Sequence, residues 1–408
     1  MKFDDNSLYN IKSSLDGKRY SLFDLATWKN GLAFKKIHIS ETGVPVIKIA
    51  ELNNGIGGTT AYTQQVFSED VHINKGDLLF SWSGNPQTSI DIFRFNLEEG
   101  WLNQHIFKVT PDEKVIDRNY FYFLMKNLKP HFTQIATNKQ TTGLGHVTIA
   151  DIKRMSVIVP SLPVQKEIVS YIKPIDDKIE LNNEINNNLE QQAMALFKSW
   201  FIDYEPFDRQ VPTTWKCGVL GDFVEIKRGG SPRPIQNFLS DSGLHWLKIS
   251  DATGISSPFI NEIKEYIIEE GLKKTVFLKA GSLVLSNSAT PGLPKILDID
   301  TCIHDGWLYF PSSKFSNEYL YLYFKHIRDN LVALGNGSVF TNLKTDILKN
   351  YPTNLPTDEV LNEFDEIIKP IFSMILSKTR ESKRLTEIRD TLLPRLMSGE
   401  LDVSDIDL

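Results

Sequence analysis

An internal duplication governs this sequence. The stretch LEQQAMALFKSWFIDYEPF at 189–207 has a partner, LTEIRDTLLPRLMSGELDV, at 385–403, a shift of 196 positions that lays Leu189 on Leu385, Leu196 on Leu392 and Phe197 on Leu393. Upstream, the same shift places Lys173-Pro174-Ile175 on Lys369-Pro370-Ile371, while Leu162-Pro163 meets Leu355-Pro356 at a shift of 193. The longer segments between repeat more loosely. VIKIAELNNG (46–55) answers to WLKISDATG (246–254), INKGDLLFSWSG (73–84) to LKAGSLVLSNSA (278–289), and NYFYFLMKNL (119–128) to EYLYLYFKHI (318–327). Phe107 and Pro111 fall on Trp307 and Pro311. A repeat this long implies two copies of one supersecondary plan, so the chain is two half-copies, each a globular segment followed by a long helix.

Periodicity sets the coarse structure. Short alternating runs such as Val46-Ile47-Lys48-Ile49, Asp77-Leu78-Leu79-Phe80 and Ser282-Leu283-Val284-Leu285, punctuated by Gly, Asn and Pro, predict strands and turns. The 119–128 and 318–327 stretches predict short helices, making each globular part mixed α and β. The connecting segments carry heptads: Ile168, Ile172, Ile175, Ile179, Asn182, Asn186, Leu189, Ala193, Leu196 and Trp200 in one, and Val360, Phe364, Ile367, Ile371, Met374, Lys378, Glu381, Leu385, Ile388 and Leu392 in the other. Both rows are apolar at the ends and polar in the middle. Antiparallel pairing brings Asn182 and Lys378 together, so the expected fold is α+β, two mixed α/β domains joined by two long helices in an antiparallel coiled coil with pseudo-two-fold repetition. Pro174 and Pro370 then predict a bend or a first-turn position. The expected domains are 1–160, a helical spacer at 161–206, a second domain at 207–355, and a helical spacer with tail at 356–408.

Composition excludes more than it selects. With 408 residues, 41% hydrophobic and 24% charged, the chain has the make-up of a globular protein of two or three domains, and no apolar run approaches a membrane span. The polar start and the two cysteines, Cys217 and Cys302, without metal spacing or a disulfide framework, point to the cytoplasm. The net charge of −6 is unevenly spread: +3 over 17–160 and +1 over 207–355, against −4 over 161–206 and −5 over 356–408. The acidity lies on the helices. The globular parts are near neutral, which permits contact with DNA without demanding it.

Catalytic motifs are missing from the sequence. It holds no glycine-rich loop ending in Gly-Lys-Ser/Thr and no Asn-Pro-Pro-Tyr stretch for an amino-methylating enzyme. Asp112 with Asp151 and Lys153 fits a nuclease metal motif only by force, and Asp151 has a repeat counterpart in Asp346, which favours a structural role. His105 and His304 read as strand or loop residues, and no metal is expected.

ALFKSWFIDYEPF (195–207), VPTTWKCGVLGDFVEIKRGGSPRP (211–234) and the terminal LLPRLMSGELDV (392–403) resemble the specificity subunit of type I restriction-modification systems. The matching pieces are Trp200-Phe201, Pro206, Pro212, Trp215, Leu220-Gly221-Asp222 and Ser398-Gly399-Glu400, and the resemblance covers essentially the whole chain. The first domain departs from it, opening on YSLFDLATWKNG (20–31) without the Pro-x-x-Trp of 212–215. The resemblance implies a non-catalytic reader of double-stranded DNA whose two target-recognition domains each take half of a split site, with the helices setting the gap. It implies partners: two methyltransferase subunits docked on the helices and a restriction/translocase subunit, with S-adenosylmethionine, ATP and Mg on those partners only.

Within that resemblance, three recurring loop types are the candidate DNA contacts. One is GGSPRP (229–234), with Lys227, Arg228, Ser231 and Arg233. The second is SWSGNPQTS (81–89), with Trp82, Ser83, Asn85 and Gln87, matched by Asn287 and Ser288. The third is NKQTTGLGHV (138–147), with Lys139, Gln140, Thr141, Thr142 and His146, matched by Asn336, Ser338, Thr341 and Asn342. Each also reads as a surface turn, and Trp82 also as a packing aromatic. Candidate partner contacts are Trp200, Phe201, Leu393 and Leu396, one of Trp200 and Phe201 being core and the other interface. A coiled-coil adaptor holding two protein-binding domains apart, with no DNA involved, is the alternative the repeat and heptads leave open.

Overall fold

The fold was established from a computed structural model that describes residues 4–140, 143–335 and 343–401. The chain divides into two compact units, one built from residues 1–177 and 385–408, the other from 178–384.

The first unit holds β1 (Ala26–Asn30), β2 (Val44–Ile47), β3 (Leu78–Ser81), β4 (Asp91–Arg94), β5 (Glu99–Leu102) and β6 (Ile106–Pro111). β1, β6, β3 and β4 form an antiparallel sheet in that order. A second sheet runs Tyr62–Thr63, β2, β5, His72–Asn74, with β2 and β5 parallel. Two helices follow, α1 (Arg118–Asn127), capped by Asp117, and α2 (Lys129–Asn138), and both bury aromatic faces. Gly17–Ser21 pairs with Ser156–Pro160, after which the chain enters α3 (Leu162–Phe201). The unit's core joins Phe80, Tyr120, Phe121, Phe123 and Phe132 to Ile168 and Ile172 of α3, to Leu8 and Tyr9 near the start of the chain, and to Leu393, Leu396 and Met397 near its end.

The second unit repeats the plan with β7 (Val224–Arg228), β8 (Leu244–Leu247), β9 (Leu283–Ser286), β10 (Pro294–Leu297), β11 (Thr301–Ile303) and β12 (Trp307–Ser313). One sheet runs β7, β12, β9, β10, Phe259–Ile260; the other runs Leu239–Ser240, Tyr266–Ile267, β8, β11, Val276–Leu278. Lys216–Val219 pairs with Pro352–Leu355 as the first unit's ribbon does. The aromatic stretch at 318–327 lies in α4 (Asn317–Gly335), longer than the short helix expected, and the last long helix is α5 (Asp358–Ser398). Register refines the sequence alignment by one residue. Phe107 faces Phe80 across β6 and β3, and Leu308 faces Leu285 across β12 and β9, so the counterpart of Phe107 is Leu308 and not Trp307.

Pro174 and Pro370 sit inside the two long helices, well past a first turn, so that alternative for their placement is ruled out. Within the second unit the contacts climb α3 while descending α5: Asn182 Nδ2 donates to Glu381 Oε2 at 3.1 Å, Asn186 Nδ2 to Thr379 Oγ1 at 3.2 Å, and Phe197 lies 6.2 Å ring to ring from Phe364. These segments run antiparallel. Lys378 meets the polar stretch through Glu381, at 2.9 Å. The heptad drawn on α3 holds at Ile168, Ile172, Asn182 and Ala193, but Phe197 and Phe201 are buried where Leu196 and Trp200 were expected. On α5 the phase differs more: Leu361, Phe364, Ile368, Phe372 and Ile375 are buried, whereas Ile367, Met374 and Ile388 are exposed. α5 carries apolar residues on two faces, and only packing decides which turns inward.

Candidate nucleic-acid interface

In the first unit the loops after β3 and before β6 meet the return through Gly145–His146. β3 runs into Ser83–Gly84, which pairs with Gly145–His146, and the Val147 amide donates to the Trp82 carbonyl at 2.8 Å. The half-buried Trp82 ring stacks on Phe107 at 5.7 Å between centroids, meets His105 edge-on at 5.0 Å, and its Nε1 donates to Asn30 Oδ1 at 3.0 Å. Ser83 Oγ and His146 Nδ1 share a hydrogen bond of 3.1 Å. His105 takes a positive φ of 73°, holding the turn into β6 in a conformation few non-glycine residues adopt. Asn85 Oδ1 accepts from the amides of Gln87 at 3.0 Å and Thr88 at 3.3 Å, an Asx turn that shapes the loop and leaves Gln87 exposed.

Lys139 has a different role from the one its loop suggested. Its ammonium is tied to both oxygens of Asp151, at 2.5 and 2.6 Å, and the same carboxylate accepts from the Thr148 amide at 2.8 Å and from Tyr9 Oη at 3.0 Å. Burial works against ionisation of Asp151, yet the Lys139 and Thr148 bonds hold its carboxyl below the usual range. Asp151 is a helix-capping anchor. Gln140 is exposed; Thr141 and Thr142 lie outside the described residues, as do Asn336, Ser338, Thr341 and Asn342.

In the second unit four of the expected residues converge on Asp305, two on its carboxylate and two on its backbone carbonyl, a residue absent from the sequence expectations. Asp305, in the turn between β11 and β12, accepts from Ser231 Oγ at 2.6 Å and from Arg233 Nη2 at 3.1 Å, while its backbone carbonyl accepts from Arg228 Nε and, at 3.1 Å, from Asn287 Nδ2. The Ser231 bond leads in holding the Asp305 carboxyl low, with Arg233 and Arg228 adding to it. Arg233 nevertheless leaves 77% of its side chain exposed. Lys227 is turned to Glu225 at 2.8 Å. Gly229 and Gly230 serve the loop's own packing: a Cβ would come within 2.3 Å of the His304 carbonyl and 2.9 Å of the Lys274 carbonyl, so their bareness lets strand and loop backbones touch. Beside this cluster opens a cleft of about 1050 Å³, lined among others by Arg233, Gln236, Trp246, Lys248, Ser288 and His304. Burial holds His304 below the usual imidazole range.

The expected partner contacts need correcting. Phe201 is buried against Tyr319 and Phe364 at 4.9 and 4.8 Å, and Leu393 and Leu396 are buried in the first unit's core, so these three side chains are not offered to a partner. Trp200 is half-buried at the margin, 5.7 Å from Phe364 and 6.2 Å from Phe207. Among the described residues no group of His, Cys, Asp and Glu is placed to hold a metal, and no helix is long and apolar enough to cross a membrane.

Residues 16–191 and 212–388 each match the type I restriction modification DNA specificity domain, and the chain belongs to that family, with two copies of the domain. Its relatives carry the same description. The chain is 26% identical to the type I restriction enzyme HindI specificity subunit of Haemophilus influenzae, over 81% of this chain and 87% of that one, and 25% identical to the MjaIX specificity subunit of Methanocaldococcus jannaschii, over 74% and 73%. The crystal structure of the type I restriction-modification S subunit from M. genitalium has the same fold, at a TM-score of 0.53 with 14% identity, over 97% of this chain and 98% of that one. The family is one of specificity subunits, which are generally non-catalytic.

Proposed function

We propose that each unit reads one half of a bipartite double-stranded DNA target and that the two long helices, paired as an antiparallel coiled coil, set the gap between the halves. One observation carries this: equivalent loops of a duplicated fold present different chemistry. Where the first unit offers Trp82, His105 and Asn30, the second offers Asn287, Gly306 and Arg228, as expected when one scaffold serves two sequences. In this reading the binding faces are Asn85, Gln87, Gln140 and His146 around Trp82, and Lys227, Ser231, Arg233 and Ser288 beside Arg228, while the buried Ser83 and Asn287, expected at DNA, and Lys139 instead hold these loops through His146, the Asp305 carbonyl and Asp151. The methyltransferase subunits dock on the exposed apolar positions of the helices, Leu181, Ile367 and Met374 in the second unit and Ile388 in the first. Methyl transfer, with its S-adenosylmethionine, and cleavage, with its ATP and Mg, belong to those partners and to the restriction subunit.

Methylome sequencing of the source strain with and without this gene tests the reading. A two-part methylation signal that disappears with the gene is expected. An unchanged methylome, together with no duplex binding by the assembled complex across a salt series, would instead favour an adaptor that holds protein-binding domains apart.

A further inference from the structure

We propose that Arg233 reads a guanine in the half-site taken by the second unit, and that Asp305 is the residue that positions it. The inference rests on the DNA-reading function above and names the chemistry of one contact within it. A guanidinium has five donors in a rigid fork and no acceptor. One edge of Arg233 is held by the Asp305 carboxylate, 3.1 Å from Nη2, while 77% of the side chain stays open beside the cleft. Asp305 is itself fixed by Ser231 at 2.6 Å. A long side chain that would otherwise sweep many rotamers is thereby aimed.

The charge of the pair decides what it is aimed at. A phosphate contact draws on net positive charge, and the carboxylate bonded to Arg233 offsets that guanidinium's share of it, while Arg228 on the Asp305 carbonyl keeps the cluster positive. A base edge is neutral and asks for direction. In the major groove only guanine presents two acceptors, O6 and N7, spaced for a guanidinium fork. At the equivalent positions the first unit holds different residues. Counting on from the matched pairs Asn30–Phe107 and Arg228–Leu308 puts Lys35 at the place of Arg233 and Gln104 at that of Asp305, so the contact belongs to one half of the target.

The test uses the complex assembled with its methyltransferase subunits and duplexes bearing its own methylated motif, with 7-deazaguanine placed at each guanine in turn. For the unaltered complex one guanine in one half is expected to cost about 10- to 100-fold in affinity, and Arg233→Ala should abolish that sensitivity there and nowhere else. Asp305→Asn should weaken discrimination at the same position. If Arg233 meets a phosphate, Arg233→Ala lowers affinity evenly and flattens the salt slope by about one, and Asp305→Asn tightens binding to every sequence. Either that pattern or equal 7-deaza losses with and without Arg233 overturns the proposal while leaving the DNA-reading function intact. Failure of the unaltered complex to bind any duplex would overturn the function itself. With its side chain so open, Arg233 supports no core, and the variant should fold.

Discussion

One buried and one half-buried group of the first unit show how single residues set its stability. Asp151 gathers an ammonium, an amide, a hydroxyl and a phenol around a carboxylate whose side chain is 6% exposed. Asp151→Ala removes the acceptor those donors share and should cost about 2–4 kcal/mol, read as a lower denaturation midpoint, while Lys139→Ala, its side chain 41% exposed, should cost no more than about 1–2 kcal/mol. His131 governs a different range of pH. Burial pushes its imidazole from 6.5 down to about 4, so between those values the unfolded chain binds a proton that the folded one refuses. Stability is therefore complete above pH 6.5 and falls as the pH drops towards 4, by about 1–2 kcal/mol once solvent screening is allowed for. Thermal melts at pH 7 and pH 4.5 should show the loss, and His131→Gln should reduce it; a variant with the same pH slope would assign it elsewhere. Asp305 shows what a sequence hides at this scale. Serine and arginines 72 to 77 positions away find it through strand pairing, and nothing periodic in a short turn announces that.

At the scale of elements the two long helices make one junction in two chemistries. In the first unit Asp176 of α3 accepts from Arg389 of α5 at 2.9 Å and from Arg94 of β4 at 3.0 Å, with side chains 6%, 24% and 18% exposed. The shift of 196 carries Asp176 to Phe372 and Arg389 back to Ala193, both buried and apolar. Asp176→Ala removes the carboxylate that two partly buried guanidiniums share, leaving Arg389 with Asp390 and Arg94 with Asn119 and the Tyr122 ring, and should cost about 2–4 kcal/mol. Replacing Asp176, Arg389 and Arg94 together by apolar residues, on the pattern of the second unit, should recover most of that loss in a denaturant titration. A triple variant as unstable as the single one would mean that the apolar solution does not transfer. The same helices mark where the sequence was legible. Long apolar periodicity gave both helices but only part of the buried face of α3, where Ile168, Ile172, Asn182 and Ala193 lie on the drawn stripe while Val169, Asp176, Glu190, Phe197 and Phe201 are buried off it. On α5, Ile367 and Met374 compete with Ile368 and Ile375, and the phase is settled by aromatic neighbours such as Tyr319 and Tyr321 that lie far off in sequence.

For the molecule as a whole, the division into units places the boundary inside each long helix, between Asp177 and Lys178 and between Arg384 and Leu385. Two continuous helices of 40 and 41 residues thus connect the parts proposed to read the two half-sites, and at about 1.5 Å per residue each extends roughly 60 Å. Half-sites on one face of DNA recur about every 34–36 Å, less than the length of either helix. The polar stretch around Asn182, Asn186, Thr379 and Glu381 is the natural place to lengthen them, since its hydrogen bonds fix register with little apolar packing to disturb. One heptad added to both helices keeps the inward stripe in phase and adds roughly 10 Å, close to three base pairs at about 3.4 Å each. Methylome sequencing of cells carrying the lengthened subunit should show both half-sequences unchanged and the gap wider by about three positions. A heptad added to one helix alone throws the pairs at 182–381 and 186–379 out of register and should lower stability instead. Should the doubly lengthened subunit methylate at the original gap, the spacing is set by the units and not by the helices between them.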